Sequence, residues 1–356
     1  MSKFEFGTYD LFQWNAIEAM PEPVDFYDQH LSEVQLAENV GFDYHFIIEH
    51  QGNNIGQCSA PLVYLSALAQ RTSTIRFGAM IFQLPFYNPL RLAQDAAMLD
   101  QLSRGRLEFG AGIGVLEHEF IRWNIPFDER REISRETLDI VVRAWTQETV
   151  THKGKYWTFD EAIPLPHPYQ KPHPPIWFGC HSEPSFEYAA AKNYDVSQNL
   201  DKDPVIAEKF DLWRSLWKEK GHQGPMPRTF LQRAVHVAET DELAREEAAP
   251  YIVQAYSQGI DRLERTRIGY KGPEDNPTTR ELVNNFKGMA TGLDFWLEHG
   301  LAHVGSPETV IKRLEKQQAL TGIDVFCGRH RFGDIPNQLV EKSIRLFGEK
   351  VIPAFR

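Results

Sequence analysis

Hydrophobic positions along the chain alternate between two spacings. Short runs rich in β-branched and aromatic residues, typical of buried strands, are separated by longer segments in which apolar residues recur every three or four positions, as in amphipathic helices. The short runs predict eight strands: Phe4–Tyr9, Tyr44–Ile48, Ile75–Met80, Leu107–Ala111, Ile176–Gly179, Val196–Gln198, Thr229–Ala238 and Ile323–Cys327. Regular alternation of strands and helices is typical of a parallel sheet covered by helices.

The clearest unit of this pattern lies between residues 73 and 120. Two predicted strands, Ile75–Met80 and Leu107–Ala111, flank a helix that begins with a cap and a first-turn proline, Asn88 and Pro89. Parallel strands joined by a crossover helix place their carboxyl ends at the same edge of the sheet. We therefore expect the small residues that end both strands to form part of a binding face.

Two segments interrupt the alternation. Residues 150–175 are rich in proline and aromatic residues, and this proline spacing is incompatible with a long helix. Residues 259–292 are charged and contain glycine and proline, and a long segment of this kind within a compact domain is more often functional than structural. We predict that the first is an insertion and that the second is a mobile lid.

Composition narrows the class of protein. The 356 residues suit one α/β domain with insertions, and no stretch approaches the roughly 20 apolar residues that a membrane span needs. A formal net charge of −11 argues against nucleic acid as a partner. The three cysteines show neither metal-ligand spacing nor a disulfide framework, and the first residues lack a secretory segment. We expect a cytoplasmic protein with no metal site.

Polar residues follow several predicted strands, at the edge where ligands bind in α/β folds. Glu49 and His50 follow the second strand, and imidazole transfers protons near neutral pH, although a lone histidine is more often structural. Ser182 and Ser185 begin a helix, where they either cap it or help to bind an anion. The glycines in residues 110–114 indicate either a tight turn or a close backbone approach to a cofactor.

Aromatic side chains are frequent near the predicted strand ends. Most aromatic residues in proteins belong to the core, but those in strand-end loops suit an apolar pocket for a hydrocarbon-like or aromatic substrate. The candidates are Phe12, Trp14, Phe86, Tyr87, Trp123 and Trp177.

Several motifs together resemble the bacterial luciferase-like flavin monooxygenases. They include Thr74–Gly78, the run Leu99–Arg106, Gly305–Glu308 and Thr321–Asp324, so the resemblance spans nearly the whole chain. It implies a single (β/α)8 TIM barrel over residues 1–356. Periodicity alone leaves open a doubly wound sheet, which alternates in the same way.

The resemblance also implies roles for residues near the second and third strands. His50 matches the histidine that these enzymes place beside the reactive edge of the flavin, where it acts in catalysis. The next residue is Gln51, where many relatives have a second histidine. Ala79, Met80 and Ile81 match the backbone that bulges against the flavin ring, with a cis peptide bond expected at Met80–Ile81.

Phosphate binding is the point at which the chain departs from the family pattern. Gly110 and Gly112 match glycines at the cofactor, but Ile113 stands where relatives often carry an arginine that reaches the flavin phosphate. The resemblance places the remaining phosphate contacts at the start of the next helix, where a histidine in place of a glutamate would add positive charge. These expected ligands are His181, Ser182 and Ser185.

The function implied is that of a monooxygenase that receives reduced FMN from a separate reductase. With O2 it would form a flavin hydroperoxide and oxygenate a small organic substrate. The missing arginine keeps open a hydride-transferring oxidoreductase that uses the related deazaflavin, and a non-catalytic flavoprotein subunit is the other alternative. Relatives commonly form dimers, so a homodimer is expected.

Overall fold

The computed structural model describes residues 4–13, 22–51, 57–265 and 286–356, and within 256–265 it describes the backbone. The strands are β1 Glu5–Asp10, β2 Tyr44–Ile47, β3 Arg76–Ala79, β4 Phe82–Gln83, β5 Phe109–Gly112, β6 Val150–Lys153, β7 Thr158–Ala162, β8 Ile176–Gly179, β9 Asp195–Gln198, β10 Thr229–Val237, β11 Ala302–Gly305 and β12 Val325–Arg329. The α-helices include α1 Pro23–Asn39, α2 Pro61–Arg71, α3 Pro89–Leu102, α4 Glu117–Arg122, α5 Arg130–Thr146, α6 Glu183–Lys192, α7 Asp203–Glu219, α8 Asp241–Arg265, α9 Leu293–Glu298, α10 Pro307–Thr321 and α11 Asn337–Leu346.

The strands form a nearly closed parallel barrel. Their order is β3-β2-β1-β12-β10-β9-β8-β5-β4, and β11 pairs with β10. Strands β3 and β4 are two parts of one interrupted strand, and a parallel bridge from Phe77 to Leu107 joins β3 to the chain entering β5. All eight predicted strands are present, with ends within two residues of those predicted. The predicted TIM-barrel architecture is confirmed.

Strand β11 was not predicted. It pairs with the second half of β10, from Ala234 to Val237, whereas β9 pairs with the first half of β10, from Thr229 to Leu231. Because β10 is nine residues long, it can pair with β9 along its first half and with β11 along its second half.

The first predicted insertion contains no helix, as expected, but it does contain regular structure. Strands β6 and β7 form an antiparallel hairpin. The chain then runs beside α3, where the side-chain amides of Gln94 and Gln101 donate to the carbonyl oxygens of Leu165 and His167 at 3.1 and 2.9 Å. The hairpin and the segment after it therefore cover one flank of the barrel.

The second predicted insertion begins later than expected. Helix α8 continues to Arg265 through a proline at position 250, so residues 259–265 belong to this helix. Most of the predicted lid, residues 266–285, lies outside the described residues, and the lid stays a prediction. No helix within the described ranges is long and apolar enough to cross a membrane.

The barrel interior is filled in layers. An apolar layer comprises Tyr9, Tyr44, Phe46, Met80, Trp177, Phe230, Val325 and Cys327. Nearer the amino ends of the strands, Arg228 contacts Asp195 at 2.8 Å and Glu108 at 3.2 Å, and the Trp177 indole donates to Glu108 at 2.6 Å. This buried charge network closes the barrel floor, which leaves the carboxyl ends of the strands as the face for chemistry.

Candidate active site at the carboxyl ends of the strands

His50 lies directly after β2 and contacts a buried carboxylate on α4. Its Nδ1 is 2.9 Å from Oε1 of Glu119, and the backbone N–H of Gln51 donates to the same oxygen at 2.9 Å. The Glu119 side chain is fully buried, whereas 14% of the His50 side chain is exposed. The imidazole is therefore held on one edge and remains accessible on another.

Glu49, the residue before His50, lies in an adjoining polar cluster that shares Gln51 and Gln83 with Glu119. Its carboxylate accepts hydrogen bonds from the Gln51 side chain at 2.6 Å, the Gln83 backbone at 2.8 Å and the Tyr87 hydroxyl at 2.7 Å. The Gln51 side chain also donates to the carbonyl of Ser59. Gln51, which stands where many relatives have histidine, thus braces Glu49 with its side chain.

The two carboxyl groups differ in acidity. Burial raises the pKa of Glu49 to about 7, the nearby charge of Glu119 adds to this rise, and the hydrogen bonds that Glu49 accepts oppose it. Burial alone would raise the pKa of Glu119, but His50 and the hydrogen bonds from His50 and the Gln51 amide lower it below its ordinary value. At neutral pH, Glu119 is therefore the carboxylate that carries the charge beside His50.

The interruption between β3 and β4 contains a non-proline cis peptide at Met80–Ile81, which confirms that prediction. The Tyr9 hydroxyl donates to the carbonyl oxygen of Met80 at 2.7 Å. Ala79 and Met80 are buried, and Ile81 packs, partly exposed, against the inner apolar layer. These contacts fix the backbone of this segment at the top of the barrel.

Gly110 and Gly112 pack against this same segment. A Cβ at Gly110 would overlap the carbonyl oxygen of Ala79, and one at Gly112 would lie 2.7 Å from Cγ1 of Ile81. A Cβ at Gly179 would lie 3.3 Å from Cγ2 of Ile81. Packing inside the protein is thus sufficient reason for glycine at 110 and 112, and their contact with a cofactor stays a prediction.

The start of α6 combines two hydroxyl groups with one guanidinium, although its first residue, Glu183, is acidic. Ser182 occupies the N-cap position of α6 but makes no capping hydrogen bond with its side chain, and its Oγ lies 3.3 Å from Oγ of Ser185. The guanidinium of Arg131, from α5, donates to Ser182 Oγ at 3.2 Å. A helix N-terminus, two hydroxyl groups and a guanidinium together suit an anion such as a phosphate.

His181 and Ile113 are the two remaining positions at which a positive charge near the start of α6 was considered. Burial lowers the pKa of His181, and Asp201 opposes this effect, so the ring is expected to be neutral rather than to supply the charge proposed for it. Ile113 packs against the main core and provides no charge. The positive charge at the start of α6 comes instead from Arg131.

The five aromatic candidates that the structure describes lie in different surroundings. Phe12 is completely buried and stacks on His30 outside the barrel interior, and Trp177 lies in the inner layer. Tyr87 bonds to Glu49, and the rings of Phe86 and Trp123 lie 6.2 Å apart. The remaining candidate, Trp14, lies outside the described residues. Phe12 and Trp177 therefore belong to the core, and an apolar substrate pocket at the strand ends stays a prediction.

Sequence reasoning missed Glu119 and Arg131. Glu119 lies 69 residues from His50, and Arg131 lies 51 residues from Ser182. Neither belongs to a motif of fixed spacing, so the fold alone brings each to its partner. Among the described side chains there is no group of three or more potential ligands that could hold a metal ion.

With this geometry in hand, comparison with known proteins defines the class. The family model of the luciferase-like monooxygenases matches residues 4–324, and the chain belongs to this family. The resemblance found in the sequence motifs is thereby confirmed.

Two curated relatives are monooxygenases by name. Over 305 residues, covering 83% of this chain and 72% of the relative, the chain is 26% identical to limonene 1,2-monooxygenase of Rhodococcus erythropolis. It is 28% identical over 223 residues, covering 62% of this chain and 61% of the relative, to the oxygenase component of the flavin-dependent trigonelline monooxygenase of Acinetobacter baylyi.

Solved structures share the whole architecture. The monooxygenase RslO1 of Streptomyces bottropensis superposes with a TM-score of 0.83 at 25% identity, covering 99% of this chain and 100% of that one. The coenzyme F420-dependent tetrahydromethanopterin reductase of Methanopyrus kandleri superposes with a TM-score of 0.72 at 20% identity over both full chains, which shows a shared fold alone.

Proposed function

We propose that this protein is the oxygenase of a two-component system, which binds reduced FMN supplied by a separate flavin reductase. It would use O2 to insert one oxygen atom into a small apolar or aromatic substrate, through the flavin hydroperoxide that the family resemblance implies. The observation that carries the proposal is the anion site of Arg131, Ser182 and Ser185, which shares the carboxyl face of the barrel with His50 and the Met80–Ile81 bulge.

The residues present fit a phosphorylated flavin. The Arg131 guanidinium and the start of α6 provide charge and N–H donors for a phosphate. His50 provides a partly exposed imidazole that can give or take a proton at the other side of the face. The bound flavin would supply the electrons that activate oxygen, and the protein would orient it, exclude water and manage the proton.

The experiment compares reduced FMN with reduced riboflavin, which lacks the phosphate. Arg131→Gln should weaken binding of reduced FMN about 10–100-fold, since a hydrogen bond to a charged group is worth about 1.5–3 kcal/mol, and should leave riboflavin binding unchanged. Arg135→Gln is the matched control, because Arg135 lies one turn further along α5 with its guanidinium over the Tyr188 ring.

Rapid mixing of the reduced FMN complex with oxygenated buffer should then give a transient absorbance that outlives that of free flavin, because an enclosed site excludes water. Weak FMN binding together with tight deazaflavin binding would replace this proposal with hydride transfer. Binding of neither cofactor would favour a non-catalytic subunit. The homodimer is a separate prediction, which gel filtration with light scattering tests.

A further inference from the structure

A buried carboxylate stands behind the imidazole of His50. Glu119 Oε1 receives both His50 Nδ1 and the Gln51 backbone N–H, each at 2.9 Å. A backbone N–H only donates, so this oxygen acts as an acceptor towards both partners. The shared acceptor fixes the orientation of the residue pair 50–51 relative to α4.

This arrangement determines which ring nitrogen of a neutral His50 carries hydrogen. An ionised carboxylate is an acceptor only, so the contact requires a proton on Nδ1. The other ring nitrogen, Nε2, is then the one with a lone pair available to a ligand, and the side chain keeps 14% of its surface exposed. When one ring nitrogen of a neutral histidine donates to a carboxylate, that hydrogen bond fixes the tautomer.

We propose that Glu119 is a positioning residue, which holds His50 in the tautomer protonated on Nδ1 and so presents Nε2 to the flavin face. The inference rests on the proposed function for its catalytic consequence, but the tautomer itself is a property of this chain.

The groups around Glu119 support a single negative charge at this point. Gln83, from β4, hydrogen-bonds to Glu119, and His118 and Arg122 lie on its own helix. Glu49 is the other carboxyl group nearby, and burial raises its pKa to about 7 with a further contribution from Glu119. Of the two neighbouring carboxyl groups, Glu119 therefore holds a negative charge more readily than Glu49, as expected when like charges are buried together.

The direct test reads the tautomer by NMR. Protein labelled with 15N at histidine should show, for the wild type, a hydrogen-bearing Nδ1 and a bare Nε2 at His50, assigned by loss of these signals in His50→Gln. Glu119→Gln should change this pattern, because an amide can donate as well as accept and so no longer dictates the tautomer. A wild-type ring protonated on Nε2 would overturn the inference, whatever the enzyme's activity.

The kinetic test separates positioning from folding. Glu119→Gln should lower kcat for oxygenation about 10–100-fold, by analogy with the loss of a carboxylate that orients a metal-ligating histidine, with the Kd of reduced FMN changed by less than about threefold. Glu119→Asp keeps the charge on a shorter side chain and should recover part of the loss. Glu117→Gln, which removes a carboxylate from the same helix, is the control and should resemble the wild type.

A double-mutant cycle with His50→Ala shows whether the two residues act together. If Glu119 acts through His50, adding Glu119→Gln to His50→Ala should cause little further loss of kcat. Equal fold losses in both backgrounds would show that Glu119 supports the fold rather than His50. A correct tautomer in a protein that does not oxygenate would refute the proposed function while leaving the positioning role in place.

Discussion

The fit of Ile81 over Gly112 gives a sharp test of how the strand ends pack. A Cβ at position 112 would lie 2.7 Å from Cγ1 and 3.3 Å from Cβ of Ile81, and nearer still to Cδ1. Carbon atoms pack best at about 3.5–4.0 Å, so Gly112→Ala overpacks this point. We expect it to lower the free energy of unfolding by about 1–3 kcal/mol, the usual cost of an inserted methyl group.

The atoms in conflict belong to one side chain, so a second substitution should relieve the conflict. Ile81→Ala alone should cost about 2 kcal/mol, at the low end for isoleucine because Ile81 is partly exposed. If the two changes were independent, the double variant would lose about 3–5 kcal/mol. We expect it to lose no more than Ile81→Ala alone, which corresponds to a coupling energy of about 1–3 kcal/mol.

Gly110→Ala is the matched control. Its Cβ would overlap the carbonyl oxygen of Ala79 and lie 3.2 Å from Cα of Met80, so the conflict is with backbone. Truncating Ile81 cannot relieve it. Urea denaturation at constant m-value measures the wild type, the three single variants and the two double variants that combine Ile81→Ala with a glycine substitution. Additive losses for Gly112→Ala and Ile81→Ala, or rescue of Gly110→Ala by Ile81→Ala, would refute the described packing.

Two further predictions concern stability. Burial lowers the pKa of His303 to about 3, below the value of about 6.5 in an unfolded chain. Between these two pH values the unfolded state therefore binds one more proton than the folded state. The free energy of unfolding consequently decreases as the pH falls from about 6.5 to about 3. Replacing it with Gln should make unfolding free energies less pH-dependent by about 1.4 kcal/mol per unit between pH 6.5 and 4.5, and parallel wild-type and variant curves would contradict this. Asn88 caps α3 by accepting from the backbone of Leu90 and Arg91, so Asn88→Ala should cost about 1 kcal/mol in urea denaturation while Asn88→Asp restores it, and equal midpoints would argue against the cap.

The barrel strands were predictable because each is a short apolar run between punctuating residues. Strand β11 escaped because Ala302–Gly305 contains only one β-branched residue, Val304, and so lacks the local signal. It is a strand because the second half of β10 offers its backbone as a partner. Residues 259–265 were assigned to the predicted insertion rather than to α8 because Gly259 is a residue that usually weakens a helix. Tertiary packing overrides such local preferences.

The residues of the candidate site also fall into those that local sequence predicts and those that it does not. The position of His50 and the cis bond at Met80–Ile81 each followed from a short local motif matched by the family resemblance. The partners of those residues did not, because Glu119 and Arg131 reach the face from helices α4 and α5 across long stretches of chain. Only the folded barrel determines which carboxylate or guanidinium lies nearest. Local motifs thus predicted residues at the carboxyl ends of the strands, whereas the folding of the barrel brings the charged residues Glu119 and Arg131 to them.

These charged residues have opposite signs and lie at opposite ends of the candidate site. The Glu119–His50 pair follows β2, the Met80–Ile81 bulge lies between β3 and β4, Gly112 ends β5, and the Arg131–Ser182 site follows β8. These elements are successive neighbours, so three strand spacings of about 4.8 Å, roughly 14 Å along the barrel wall, separate the negative end from the positive end. We therefore expect an elongated cofactor with an anionic tail to bind in one orientation, with its tail at α6 and its ring against Ile81 towards His50. The same ligand reversed would bring its anion to Glu119, which like-charge repulsion disfavours.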